Sequence, residues 1–166
     1  GHEAGDKVLI QFVELFNKTC RESDWIIRWG GEEFLIVGRF SNQHELEALA
    51  ERIRINVEKH RFDIGNDNFL NNTCSFGLAK FPFIRSDFDA LTWEQTVNIA
   101  DIALYLAKSN GRNAWVNLYE NDATNNVDFY HLMQKNIQQS INSGVISFST
   151  SVTDSDLVFS SSNEAT

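Results

Sequence analysis

The chemistry-bearing stretch of this chain is Trp25 to Phe40, WIIRWGGEEFLIVGRF, in which Gly30, Gly31, Glu32 and Glu33 stand between two apolar runs. Trp25–Ile27 and Phe34–Val37 are rich in branched and aromatic residues, which predicts a β-hairpin with the tetrad at its tip. Paired glycines supply positive φ and leave no side chain, so a phosphate can lie directly against backbone N–H groups. Two carboxylates follow at once. On an ideal strand Glu32 and Glu33 would point to opposite faces, but at the mouth of a turn both can lean toward the loop. Held roughly 4 Å apart they would repel by about 4 kcal/mol at an effective dielectric near 20, and a divalent cation is the natural neutraliser. The tetrad has two readings: a metal-nucleotide loop, or a Gly-Gly hairpin that carries solvated acids.

Other segments accompany the hairpin in a fixed order: GHEAGD at the start, RESD just before the first strand, TCSFGLA in the middle and DIALYLAKSNGRN ending at Asn113. Together with GGEEF they resemble the signature segments of the GGDEF family of diguanylate cyclases, with Glu32 where that family allows either acid. The resemblance covers residues 1 to about 118 and says nothing about the remainder.

The elements that must position these residues follow from periodicity. Between Gly5 and Thr19, Val8, Phe12, Leu15 and Phe16 form one helical stripe. Asp6 falls at the start of that helix, where a carboxylate is favoured by the helix dipole. Resemblance to the family implies instead that Asp6 contacts guanine, and a carboxylate can accept from the N1 and N2 hydrogens of that base. Arg21-Glu22-Ser23-Asp24 reads alone as a charged connector. The family resemblance makes it an RxxD site for the inhibitory product, with Arg21 reading the guanine edge through its fork and Asp24 as polar partner. Five strand residues at about 3.4 Å each put this site roughly 17 Å from the hairpin tip, too far for one ligand to touch both.

Asn42 and Glu45 have capping-box spacing, and Leu46, Leu49, Ile53 and Val57 form the buried face of a second helix. Arg52 lies off that face and reads as surface charge; the resemblance adds it to the product site. Residues 61–71 are polar and predict a loop, and a strand follows from about Asn72 to Phe81, closed by Pro82. Gly77 within it admits either a close backbone neighbour or a bulge. Thr92 and Gln95 open a third helix with Val97, Ala100, Leu104 and Ala107 as its buried face and Gly111 as C-cap. Lys108 and Arg112 end it, as cations favoured by a helix C-terminus or, as the resemblance implies, as ligands of the triphosphate. A final strand is expected over Ala114–Tyr119.

At 166 residues the chain suits one domain plus a tail. A formal charge of −9 argues against a nucleic-acid polymer or an anionic membrane surface as partner. Cys20 and Cys74 fit no metal spacing and read as reduced thiols of a cytoplasmic protein, with membrane anchorage of the parent left open. Beyond a GGDEF domain at 1–118, residues 119–166 form an extension, with one helix over about 127–142 and a Ser-rich flexible tail from Ser147.

The expected class is therefore α+β, a palm-like nucleotide cyclase fold with a mainly antiparallel central sheet flanked by helices. By resemblance, the activity is condensation of two GTP into cyclic di-GMP and two pyrophosphates in a homodimer, with Mg2+ (or Mn2+) on Glu32 and Glu33. Gly30 and Gly31 would line the phosphate loop, and Glu33 would be a second ligand or assist deprotonation. The family's first strand and helix, with a further metal-binding Asp and a guanine-binding Asn, are not among these residues. A chain opening at Gly1 without Met is expected to belong to a longer protein with an upstream sensory or regulatory domain, and to be inactive by itself. The alternative is a non-catalytic module that binds cyclic di-GMP or GTP for signalling or dimerisation.

Overall fold

The computed structural model describes residues 2–124 and 128–152, and the chain divides into two compact units between Cys74 and Ser75. The first unit holds α1 (His2–Thr19), β1 (Trp25–Gly30), β2 (Glu33–Val37), α2 (Gln43–Lys59), β3 (Arg61–Gly65) and β4 (Asn68–Asn71). Val8, Phe12 and Phe16 on α1 are buried, as the apolar stripe predicts. Phe12 stacks on Phe62 of β3 with ring centroids 4.9 Å apart, and Phe16 meets Phe34 of β2 edge-on at 5.3 Å. Leu49, Ala50, Ile53 and Val57 form the buried face of α2. Fully burying a side chain of this size contributes about 1.5–3 kcal/mol, so α1 and α2 hold the hairpin base by their apolar faces.

Residues 61–71 are a hairpin rather than the expected loop. Phe62 is fully buried between exposed Arg61 and Asp63, so one apolar residue anchors β3. Asn66 and Asp67 take φ of 54° and 58°, the left-handed pair that a tight two-residue connection requires and that Asn and Asp tolerate. Helix α1 fastens the hairpin through Gln11, which donates to the Asp63 carbonyl at 2.8 Å and accepts from its N–H at 3.0 Å.

The second unit holds β5 (Phe76–Leu78), α3 (Trp93–Ser109), β6 (Trp115–Glu120), α4 (Phe129–Lys135), α5 (Ile137–Asn142) and β7 (Ile146–Thr150). Strand β5 is shorter than expected and pairs parallel to β6, with α3 as the crossover; β7 pairs antiparallel on the other edge of β6. The buried face of α3 is Thr96, Ile99, Ala103, Leu106 and Ala107, rotated from the expected stripe. Apolar residues surround most of this helix, so spacing alone does not select the face.

Two expectations for the extension are corrected. The single helix breaks at Asn136, whose extended backbone (φ −159°, ψ 93°) ends α4 while its side chain caps α5 by accepting from Gln139 N–H. Ile146 and Phe148 alternate with Ser147 and Ser149 in β7, so the first part of the supposed tail is a strand whose period-two pattern the serines concealed. Phe129, Met133, Val145 and Ile146 join the core of the unit with Ile99, Leu106, Val116 and Leu118. The remainder of the expected tail, 153–166, lies outside the described residues. The class is α+β as expected; among the described residues the strands form three separate sheets with four pairings, of which β5–β6 is parallel.

Candidate functional site

Strands β1 and β2 form the predicted hairpin, in register from Trp25 opposite Val37 to Arg28 opposite Phe34 and, after a shift, with Gly30 opposite Glu33. Only Gly31 and Glu32 remain as the loop. Gly31 alone of the two glycines has positive φ, at 50°, so it is the residue that the turn requires; Gly30 is the last residue of β1. A Cβ built on either glycine meets nothing within 4 Å, which leaves the space beside the loop open. Glu32 and Glu33 are both exposed at this mouth.

Arg28, which the sequence reading passed over, fixes the loop. Its Nε and Nη2 both donate to the Gly31 carbonyl oxygen, at 3.1 and 2.8 Å. A register shift lies just beyond Arg28, between it and Gly30. No sequence signal separates this arginine from an ordinary strand cation.

Among the described residues no group of three or more His, Cys, Asp or Glu side chains forms a metal cluster. The acid pair at the tip is thus a pair of hard oxygen donors beside an open loop, a set that suits Mg2+ with its remaining positions filled by water or phosphate.

Asp6 is exposed on α1. The helix begins at His2, so Glu3 occupies the first turn and pairs with Lys7 at 3.0 Å, while Asp6 stands a turn further in. Dipole stabilisation falls off beyond the first turn and is a weaker account of Asp6 than the sequence suggested.

Arg21, Asp24 and Arg52 are drawn into one neighbourhood by the loop after α1. Asp24 is a clamp: its Oδ2 accepts from Arg21 N–H at 2.9 Å and its Oδ1 from Arg39 N–H at 3.1 Å, which ties the entrance of β1 to the exit of β2. The Arg21 guanidinium reaches Glu45 of α2 at 3.2 Å, and Arg52 donates to the Thr19 carbonyl at 3.0 Å. Beside the clamp, the Arg39 guanidinium lies over the Trp25 and Phe40 rings at 5.1 and 5.0 Å.

Lys108 and Arg112 belong to the second unit and are exposed at the end of α3. After the Asn110 cap, Gly111, Arg112 and Asn113 take φ of 97°, 59° and 47°, and Arg112 N–H bonds the Ala107 carbonyl at 3.1 Å. This left-handed run reverses the chain from α3 into β6.

The α+β fold with an acid-bearing Gly-Gly hairpin is of the kind found in GGDEF domains, and a family model described as "Diguanylate cyclase, GGDEF domain" matches residues 1–114. The chain belongs to the GGDEF family. It is 38% identical over 113 residues to "Diguanylate cyclase DosC" of Escherichia coli, covering 68% of this chain and 23% of that protein. "Diguanylate cyclase A" of Treponema denticola is 35% identical, with coverage of 68% and 29%. The chain thus spans about a quarter of the curated relatives it matches. Among solved structures, diguanylate cyclase SiaD of Pseudomonas aeruginosa, in complex with its activator SiaC, superposes with a TM-score of 0.61 at 34% identity, covering 68% of this chain and 41% of that one. The active GGEEF domain of a Vibrio cholerae diguanylate cyclase superposes with a TM-score of 0.55 at 32% identity, covering 68% and 67%. No helix among the described residues is long and apolar enough to cross a membrane.

Proposed function

We propose that this chain is the catalytic domain of a diguanylate cyclase, which joins two GTP molecules into cyclic di-GMP with release of two pyrophosphates. The observation that carries this reading is the two-residue Gly31–Glu32 loop, held by Arg28 and flanked by open space, with Glu32 and Glu33 exposed at its mouth. Glu32 is the metal ligand; Glu33 is a second ligand or assists deprotonation of the attacking hydroxyl. Mg2+, or Mn2+ in its place, would polarise the phosphoryl group and lower the pKa of the ribose 3′ hydroxyl. Gly30 and Gly31 line the phosphate loop, and Asp6 accepts from the guanine edge. Lys108 and Arg112 offset the triphosphate charge, which a chain of net charge −9 must neutralise locally. Each domain holds one GTP, so condensation requires two domains facing one another in a homodimer. Arg21, Asp24 and Arg52 form a separate product site that inhibits turnover, and an upstream regulatory domain in the parent sets when the dimer forms.

The test is conversion of GTP by the parent protein with Mg2+, beside a Glu32→Ala control. Cyclic di-GMP from the parent and not from the control supports the cyclase and the metal at the hairpin. No product from either, with cyclic di-GMP still bound, supports the second reading, a non-catalytic receptor. That reading is favoured by the Asp24 clamp, which organises the Arg21 region through the hairpin base and without the tip.

A further inference from the structure

Glu45 makes two kinds of bond, and only one is needed to cap its helix. Its Oε2 accepts from Asn42 N–H at 2.8 Å, and the Asn42 side chain accepts from Glu45 N–H at 3.0 Å, which completes the capping box of α2. The second oxygen, Oε1, takes Arg21 Nη2 at 3.2 Å, a contact that spans 24 residues of sequence. The guanidinium whose fork would read a guanine edge therefore already faces a carboxylate. Asp24 does not fill that role, because both of its oxygens are engaged by backbone N–H groups. Among the described residues Glu45 is the one ion-pair partner of Arg21. Both side chains are substantially exposed, at 55% and 41%, so water screens the pair and a ligand can reach it.

We propose that Glu45 is an internal competitor for cyclic di-GMP at Arg21 and sets the product concentration at which inhibition begins. This rests on the reading of Arg21 as the product-recognition residue. Guanine O6 and N7, or a phosphate oxygen, would need the same donors that Glu45 holds, and the carboxylate is present at high effective concentration because α2 fixes its backbone. Binding of the product then includes the cost of opening the Arg21–Glu45 pair. If Glu45 instead oriented Arg21 for the ligand, its loss would weaken binding, so the sign of the effect separates competition from positioning.

Glu45→Gln isolates the charge, because the capping box accepts Glu or Gln at this position and the acceptor for Asn42 N–H is kept. Cyclic di-GMP binding is measured by titration calorimetry on the chain, Glu45→Gln, Arg21→Ala and the double variant, with thermal melts to confirm that α2 remains folded. Should Glu45→Gln melt early, the titrations are run at a temperature below its melting transition, where α2 is folded, and the same tightening is expected there. Competition predicts that Glu45→Gln tightens binding about two- to fivefold, the range set by a screened ion pair. The gain should shrink as salt rises and vanish in the Arg21→Ala background. Unchanged or weaker binding by Glu45→Gln, with Arg21→Ala still impaired, overturns the competitor and leaves the product site standing. Undiminished binding by Arg21→Ala, or no binding by the chain and Glu45→Gln alike, overturns the product site and the competitor with it.

Discussion

The Cβ that Gly77 lacks would lie 1.8 Å from the carbonyl oxygen of Ala100 and 2.2 Å from the backbone nitrogen of Leu104. Strand β5 and helix α3 thus touch backbone to backbone, and of the two accounts the sequence left open for Gly77, close approach is the one realised. Neither neighbour is the end of a flexible side chain, so Gly77→Ala must push α3 off the sheet. We expect a loss of at least about 3 kcal/mol, the upper end for overpacking a core. Urea unfolding measures it, and a loss below about 1 kcal/mol would contradict the contact.

Arg28 is expected to act on turnover through the loop. Arg28→Ala removes both donors from the Gly31 carbonyl and should raise the KM for GTP about tenfold in the parent, a loss of roughly 1.4 kcal/mol in binding. The arginine is exposed, so stability should move by less than about 0.5 kcal/mol. An equal fall in melting temperature and activity would show that the fork serves the fold alone.

Asp24 separates structure from recognition. Asp24→Ala orphans Arg21 N–H and Arg39 N–H and should cost about 1–3 kcal/mol, whereas Arg21→Ala, which removes only an exposed ion pair, should cost less than about 1 kcal/mol. Denaturant melts of the two variants check the order. Lost cyclic di-GMP binding in Asp24→Ala is therefore not by itself a sign of direct contact.

Burial pushes the Cys74 thiol from 9.0 up to about 12, against a smaller opposing effect of Arg54. The folded state then holds the proton more tightly than the unfolded chain. Any stability linked to this group is intact below pH 9 and falls as pH rises from 9 toward 12. Burial also raises Cys20, the less buried of the two. Both thiols are half-buried, and the Cys74 proton is held more tightly, so at pH 8 a thiol reagent should modify Cys20 faster than Cys74; faster reaction at Cys74 would contradict that order.

Much of this molecule is determined by local sequence. The spacing of Val8, Phe12 and Phe16, the capping boxes at Asn42 and Thr92, and the Gly-Gly tip between two β-rich runs each specify an element from its own residues. The order of the motifs places the chain in its family, because several short matches in sequence constrain more than any one. Tertiary structure decided what depends on residues distant in sequence. Phe62 makes a strand of a polar stretch because Phe12 is there to cover it. Ile146 and Phe148 make a strand because β6 offers an open edge. The buried face of α3 was not legible because most of its circumference is apolar, and only the sheet selects among faces. The same holds at the candidate sites: residue type nominated Glu32, Glu33, Arg21 and Asp24, but the bonds of Arg28 to Gly31 and of Glu45 to Arg21 exist only once the chain has folded. Hydrogen bonds need distance and angle together, and sequence separation fixes neither across 24 residues.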